Sequence, residues 1–137
     1  MKTKPDSGPE VMPFLMFTGQ AEEAMNVYVG LFENSHLLTI KRYGPGQAGR
    51  EGTVAMAAFA LNGRTFKCSD SAPVHEFTFT PSISFFVTGD DEAKVTRYFE
   101  ALAKEGKVLM PLGEYPFSRR FGWVQDRFGV SWQINMQ

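Results

Sequence analysis

Few side chains in this sequence could do chemistry, and most stand apart from one another. The single cysteine, Cys68, cannot form an internal disulfide, and as a nucleophile it would need a base. Neither histidine, His36 or His75, is near it in the chain. Strand alternation turns it away from Lys67 and Ser69, which makes it a buried core thiol. Glu114 and Tyr115 precede the last predicted hairpin and could supply a general base and an aromatic wall, although a loop carboxylate is ordinarily solvated. Asp126 falls in a predicted turn, where a carboxylate caps its own backbone. Arg119-Arg120 could clamp an anionic ligand or meet acids across a dimer interface, but a solvated charge pair is the simplest reading. Gly44-Pro45-Gly46, with Gly49 and Gly52, lacks the GK[ST] ending and following helix of a phosphate loop, and so predicts a flexible loop.

The elements that must position these groups follow from periodicity. Residues 1–10 predict a loose arm. Val11 to Phe17 predicts a strand in which Pro13 is awkward. Ala21, Ala24, Met25, Tyr28, Leu31 and Phe32 form one apolar face of a helix of about three turns. Strands are predicted over Leu37–Tyr43, Thr53–Leu61 and Arg64–Ser69, the last two joined by the hairpin pair Asn62-Gly63. Asp70 to Pro81, with two prolines, separates the halves. Ser82–Val87 predicts a strand, followed by a helix capped by Asp90 or Thr88, with Val95, Tyr98, Phe99 and Leu102 on its apolar face and Gly106 as its stop. Lys107–Leu112 predicts a strand and Gly113–Arg120 a loop. A final hairpin runs from Phe121 to Gln125, through Asp126-Arg127-Phe128-Gly129, and out from Val130 to Met136.

The two halves repeat each other. At one offset Thr18-Gly19 meets Thr88-Gly89, Met25 meets Val95, Tyr28 meets Tyr98, Val29 meets Phe99 and Phe32 meets Leu102. Each half also ends in a hairpin. A duplicated βαβββ unit is the simplest account: a first module over 11–70, a linker over 71–81 and a second module over 82–137.

Composition narrows the classes. The chain has 137 residues and 13 Phe, a formal net charge of −1 and 43% hydrophobic residues. That suits one domain with a sizeable core and a strand-rich, aromatic interior. The charge balance argues against a nucleic-acid or acidic-membrane partner. No apolar run approaches the roughly 20 residues of a bilayer span. The first ten residues carry two Lys with no apolar segment behind them, so no secretory signal is predicted and a cytoplasmic location is expected.

The closing stretch FGWVQDRFGVSWQI, an aromatic-V-x-D-x-x-G-x-x-W-x-I hairpin ending a small α/β chain, resembles the last hairpin of the vicinal-oxygen-chelate superfamily. That group includes glyoxalase I, bleomycin-resistance proteins and extradiol dioxygenases, and the wording is most similar to its PhnB-like branch, often labelled 3-demethylubiquinone 3-methyltransferase. The resemblance spans roughly Val11 to Met136. It implies an α+β fold of two tandem βαβββ modules, whose mixed, strongly curved sheets form a half-open barrel. Enzymes of the group hold a divalent metal on four side chains, and the metal acts as a Lewis acid on a chelated substrate. Carried over one at a time, those positions fall on Pro13, near Lys67, on Ser82 or Ile83, and on Gln133. No set of His, Asp or Glu ligands survives, so no metal or other cofactor is expected.

The trough that the resemblance implies would still have walls. In the last strand Ser131, Gln133 and Asn135 share one face, and Trp132, Ile134 and Met136 the other, which would pack under the helices. Ser84 and Phe86, and Lys67 and Ser69, would line the trough likewise. With Phe17, Tyr115 and Trp123 they form a candidate ligand site for a small, partly anionic or aromatic molecule, unless the aromatics merely fill the space. Methyl transfer is not expected: only Thr18-Gly19-Gln20 follows the first strand, too little for the glycine-rich turn that usually holds a methyl donor. The expected function is metal-free binding of a small organic molecule by a homodimer. The alternatives are a glyoxalase- or dioxygenase-type enzyme with displaced ligands, and a protein-interaction domain.

Overall fold

The computed structural model describes residues 8–137, so all but the last three residues of the predicted arm lie outside the described part. The chain runs β1 (Phe14–Phe17), α1 (Ala21–Leu31), β2 (His36–Arg42), β3 (Val54–Leu61), β4 (Arg64–Asp70), β5 (Ser84–Gly89), α2 (Glu92–Ala103), β6 (Lys107–Tyr115), β7 (Ser118–Gln125) and β8 (Ser131–Met136). It is an α+β chain with two four-stranded mixed sheets, ordered β1-β4-β3-β2 and β5-β8-β7-β6. In each, the first strand pairs parallel with the last and the remaining pairs are antiparallel. Two compact units result: one extends to residue 29 and then over Glu33–Ser71, and the other comprises Gly30–Phe32 and Ala72–Gln137.

Each unit buries the helix-covered face of its sheet. In the first, Leu15, Phe17, Phe59, Phe66 and Cys68 are buried together with Ala21, Ala24, Met25 and Tyr28 of α1, and Tyr28 lies 6.3 Å from Phe59 between ring centroids. In the second, Val124, Trp132 and Ile134 are buried with Val95, Tyr98 and Leu102 of α2. Trp132 takes Phe32 and Phe85 at 5.6 and 5.3 Å between centroids. Asn62, at φ 48°, and Gly63, at φ 82°, make the predicted two-residue hairpin between β3 and β4.

Several boundaries differ from expectation for local reasons. β1 starts at Phe14 rather than Val11. Pro13 has no N–H for a ladder, and only its carbonyl takes part, accepting from Lys67 N at 2.9 Å. β5 starts at Ser84 rather than Ser82, leaving Ile83 71% exposed. The predicted loop over Gly113–Arg120 is mostly strand. Tyr115 pairs with Ser118 around a two-residue turn at Pro116-Phe117, and the Tyr115, Phe117 and Phe121 rings meet at centroid distances of 4.9 to 5.9 Å. Asp91, not Asp90 or Thr88, caps α2 by accepting from Lys94 N at 3.0 Å. The residue at positive φ after α2 is Glu105, at 59°. Gly106 is demanded by proximity instead, because a Cβ there would lie 2.4 Å from the Gln125 carbonyl oxygen.

Candidate functional site

Sheet alternation and strand register assemble the site in the second unit. α2 covers one face: a Cβ at Gly122 would sit 2.4 Å from the Phe99 ring, and one at Gly89 would sit 3.0 Å from Val95. The other face carries a row in direct register. Phe86 of β5 stands opposite Gln133 of β8, Gln133 opposite Trp123 of β7, and Trp123 opposite Met110 of β6. Phe86 is 58% exposed, whereas Gln133, Trp123 and Met110 are half-buried.

The neighbouring row fixes the Trp123 ring. Ser84 pairs with Ser131, and Ser131 with Gln125. Ser131 is buried and its Oγ accepts from Trp123 Nε1 at 2.8 Å. The Ser84 and Ser131 hydroxyl oxygens lie 2.7 Å apart, and Ser84 donates on to the Pro81 carbonyl at 3.3 Å. Three polar groups thus satisfy one another, and the indole is held with its only donor used. Beyond the row on the other side, Tyr115 donates to the Pro111 carbonyl at 2.7 Å and meets Phe121 edge-on at 5.9 Å.

Of the predicted site residues, Ser84, Phe86, Tyr115, Trp123 and Gln133 therefore belong to the second unit, with Phe86, Gln133 and Trp123 in contact order across three strands. Lys67 and Ser69 share the uncovered face of the first sheet, Lys67 standing opposite Phe14 and Ala58. Phe17 does not: it pairs with Asp70 on the helix-covered face and is 3% exposed. Alternation from Met16, which stands opposite Ser69, is the reason. Ser131 and Phe121, each two positions from Gln133 or Trp123, share their face but are 2% and 3% exposed, so they back the candidate row rather than line it.

Other candidates are tied up internally. Asp126 Oδ1 accepts from Phe128 N and Val130 N, both at 2.9 Å, and Oδ2 from Trp132 Nε1 at 2.9 Å. It is a turn brace. Arg119 donates to the Gln137 carbonyl at 2.8 Å. Arg120 faces α2, 3.8 Å from a Glu92 carboxylate oxygen. Burial, and then the nearby Asp70 carboxylate, push the Cys68 thiol up to about 12, which suppresses the reactive thiolate.

The divalent metal that the fold suggests does not fit these residues. Pro13, Lys67, Ser82, Ile83 and Gln133 offer no anionic or imidazole donor, and among the described residues no three His, Cys, Asp or Glu are grouped to hold a metal ion. The one strand–glycine–helix turn of the first unit is filled from within. Asp70 Oδ1 accepts from Gly19 N at 2.8 Å and Ala21 N at 3.0 Å, and Oδ2 from Val54 N at 2.9 Å. A carboxylate of the chain itself thus occupies the place where a phosphate or nucleotide would otherwise approach the helix start. Local signals miss Asp70 because its partners are 16 to 51 residues away.

Comparison with known proteins agrees with this architecture. A putative 3-demethylubiquinone-9 3-methyltransferase, PhnB protein, from Bacillus cereus superposes with a TM-score of 0.92 at 50% identity, over 94% of this chain and all of that one. Protein YjdN of Escherichia coli is 24% identical over 90% of this chain and 92% of its own length. A glyoxylase/bleomycin resistance protein/dioxygenase domain from Frankia, 13% identical, shares the fold with a TM-score of 0.63 over 94% of this chain and 91% of that domain. The chain has the glyoxalase/bleomycin-resistance fold of the vicinal-oxygen-chelate group, and the model of the 3-demethylubiquinone-9 3-methyltransferase family matches residues 9–135. By that match, the chain belongs to this PhnB-like family.

Proposed function

We propose that this protein binds a small organic molecule on the uncovered face of its second sheet, without a metal, as a sequestering or resistance protein does. The observation that carries the reading is the in-register row Phe86, Gln133, Trp123, in which an amide is flanked by two aromatic side chains on the face opposite α2. Aromatic walls with one convergent polar group are the usual make-up of a small-molecule site. Methyl transfer forms no part of the reading, because Asp70 fills the helix start a donor would use. The proposal includes a homodimer, a state in keeping with the β2 edge strand, whose Leu37 and Leu38 are 44% and 50% exposed. It also includes a cytoplasmic location, where the free Cys68 would stay reduced. Among the described residues no helix is long and apolar enough to cross a membrane.

Native mass spectrometry of protein purified without chelator or added metal tests the proposal. The expected mass is that of two 15.3 kDa chains without metal, with a small organic adduct that Gln133→Ala diminishes. One chelator-removable divalent metal per chain would overturn it in favour of an enzyme with displaced ligands.

A further inference from the structure

The hydrogen-bond inventory of the second sheet's uncovered face narrows what it can recognise. Most polar side chains there are already committed. Trp123 Nε1 is bonded to Ser131, Ser131 to Ser84, Ser84 to the Pro81 carbonyl, Tyr115 to the Pro111 carbonyl and Gln125 Nε2 to the Gly129 carbonyl at 2.9 Å. Asn135 Oδ1 accepts from Ser118 Oγ at 2.6 Å. Gln133 differs: it is half-buried in the middle of the aromatic row, and its amide makes no hydrogen bond within the described residues. Its amide is open to solvent, since the only buried side-chain N or O atom without a partner among the described residues is Arg120 Nε, so both its donor and its acceptor are available to an incoming group.

Charge is kept to the margins of this face. The row Phe86, Gln133, Trp123, Met110 contains no ionisable group. Lys107 lies at the far end of the serine row, opposite Gln125 on the edge strand β6, and Arg119, four positions before Trp123 in β7, is exposed and turned to the Gln137 carbonyl at the chain end. An ionic ligand group over Gln133 would lose hydration with no countercharge to replace it. Because the indole N–H is taken up by Ser131, Trp123 presents ring surface rather than a donor.

We propose that the ligand is a neutral, planar aromatic molecule bearing one amide-like donor–acceptor pair, with its ring against Trp123 and Phe86 and its polar edge on the Gln133 amide. This rests on the small-molecule reading above and specifies the ligand class. Ser131 and Ser84 serve as positioning residues that hold the indole.

Three probes separate the possibilities: naphthalene-2-carboxamide, naphthalene-2-carboxylate and naphthalene, titrated into the full chain and followed by the Trp123 indole and Gln133 side-chain NMR resonances. The carboxamide is expected to bind on the order of tenfold tighter than the carboxylate, and Gln133→Leu to weaken the carboxamide about three- to tenfold relative to naphthalene. A carboxylate that binds as tightly as the carboxamide, or a Gln133→Leu variant that affects carboxamide and naphthalene alike, overturns the neutral-ligand inference and leaves the small-molecule site standing. If none of the probes moves either resonance up to its solubility limit, this inference and the small-molecule reading of the face both fail.

Discussion

Cys68 shows how one residue's surroundings set its chemistry. It is fully buried in β4 beneath α1, and its thiol is raised from 9.0 to about 12 by burial and then by Asp70. Below pH 9 the thiol is protonated in both the folded and the unfolded chain and contributes no pH dependence. Between pH 9 and 12 the unfolded chain releases this proton and the folded chain does not, so stability falls with rising pH, by about 1.4 kcal/mol per unit from this group alone. Urea unfolding across pH 8 to 11 should therefore give a steeper decline for the native chain than for Cys68→Ala, which lacks the titrating group. Parallel declines would show that the thiol does not differ between the two states. The same burial makes Cys68 unreactive toward thiol reagents near neutral pH until the chain unfolds.

At the scale of elements, whatever is periodic or local was legible in the sequence. The helix faces, the Asn62-Gly63 hairpin and the alternation that opposes Gln133 to Trp132 follow from spacings of two, three or four residues, and the structure contains them. What the sequence hid depends on contacts between distant segments. The stretch after Leu112 contains Gly113 and Pro116 and reads as a loop, yet the Tyr115, Phe117 and Phe121 rings hold it as strand and turn. Phe17 lies on the helix-covered face instead of the open one, because the pairing of Met16 with Ser69 is not visible in β1 alone. Gly106 looks like an ordinary helix stop, but its task is close approach to the β7–β8 turn. Gly106→Ala would bring a Cβ within 2.4 Å of the Gln125 carbonyl and 3.0 Å of Asp126 Cα. Both are backbone atoms that cannot swing aside, so a loss of about 1–3 kcal/mol is expected. Gly113→Ala, where a Cβ would meet nothing within 4 Å, is the comparison for thermal unfolding. Equal melting points for the two variants would refute the close-approach explanation.

Over the whole molecule, two units of the same strand order start their helices by different means. α2 is begun by Asp91, three residues before its partner Lys94 N. α1 is begun by Asp70, which reaches back 49 residues to Ala21 N and also grips Gly19 N and Val54 N. The first contact closes a small loop and the second a long one, and long loops form later because their closure costs more chain entropy. Pulse-labelled hydrogen exchange during refolding should show the Lys94 amide protected before those of Gly19, Ala21 and Val54. Simultaneous protection would show that the two starts are equally fast. During synthesis the consequence is one of timing: the ribosome makes the earlier helix first, but its leading turn must wait until residue 70 has emerged, while the later helix carries its own starting signal with it.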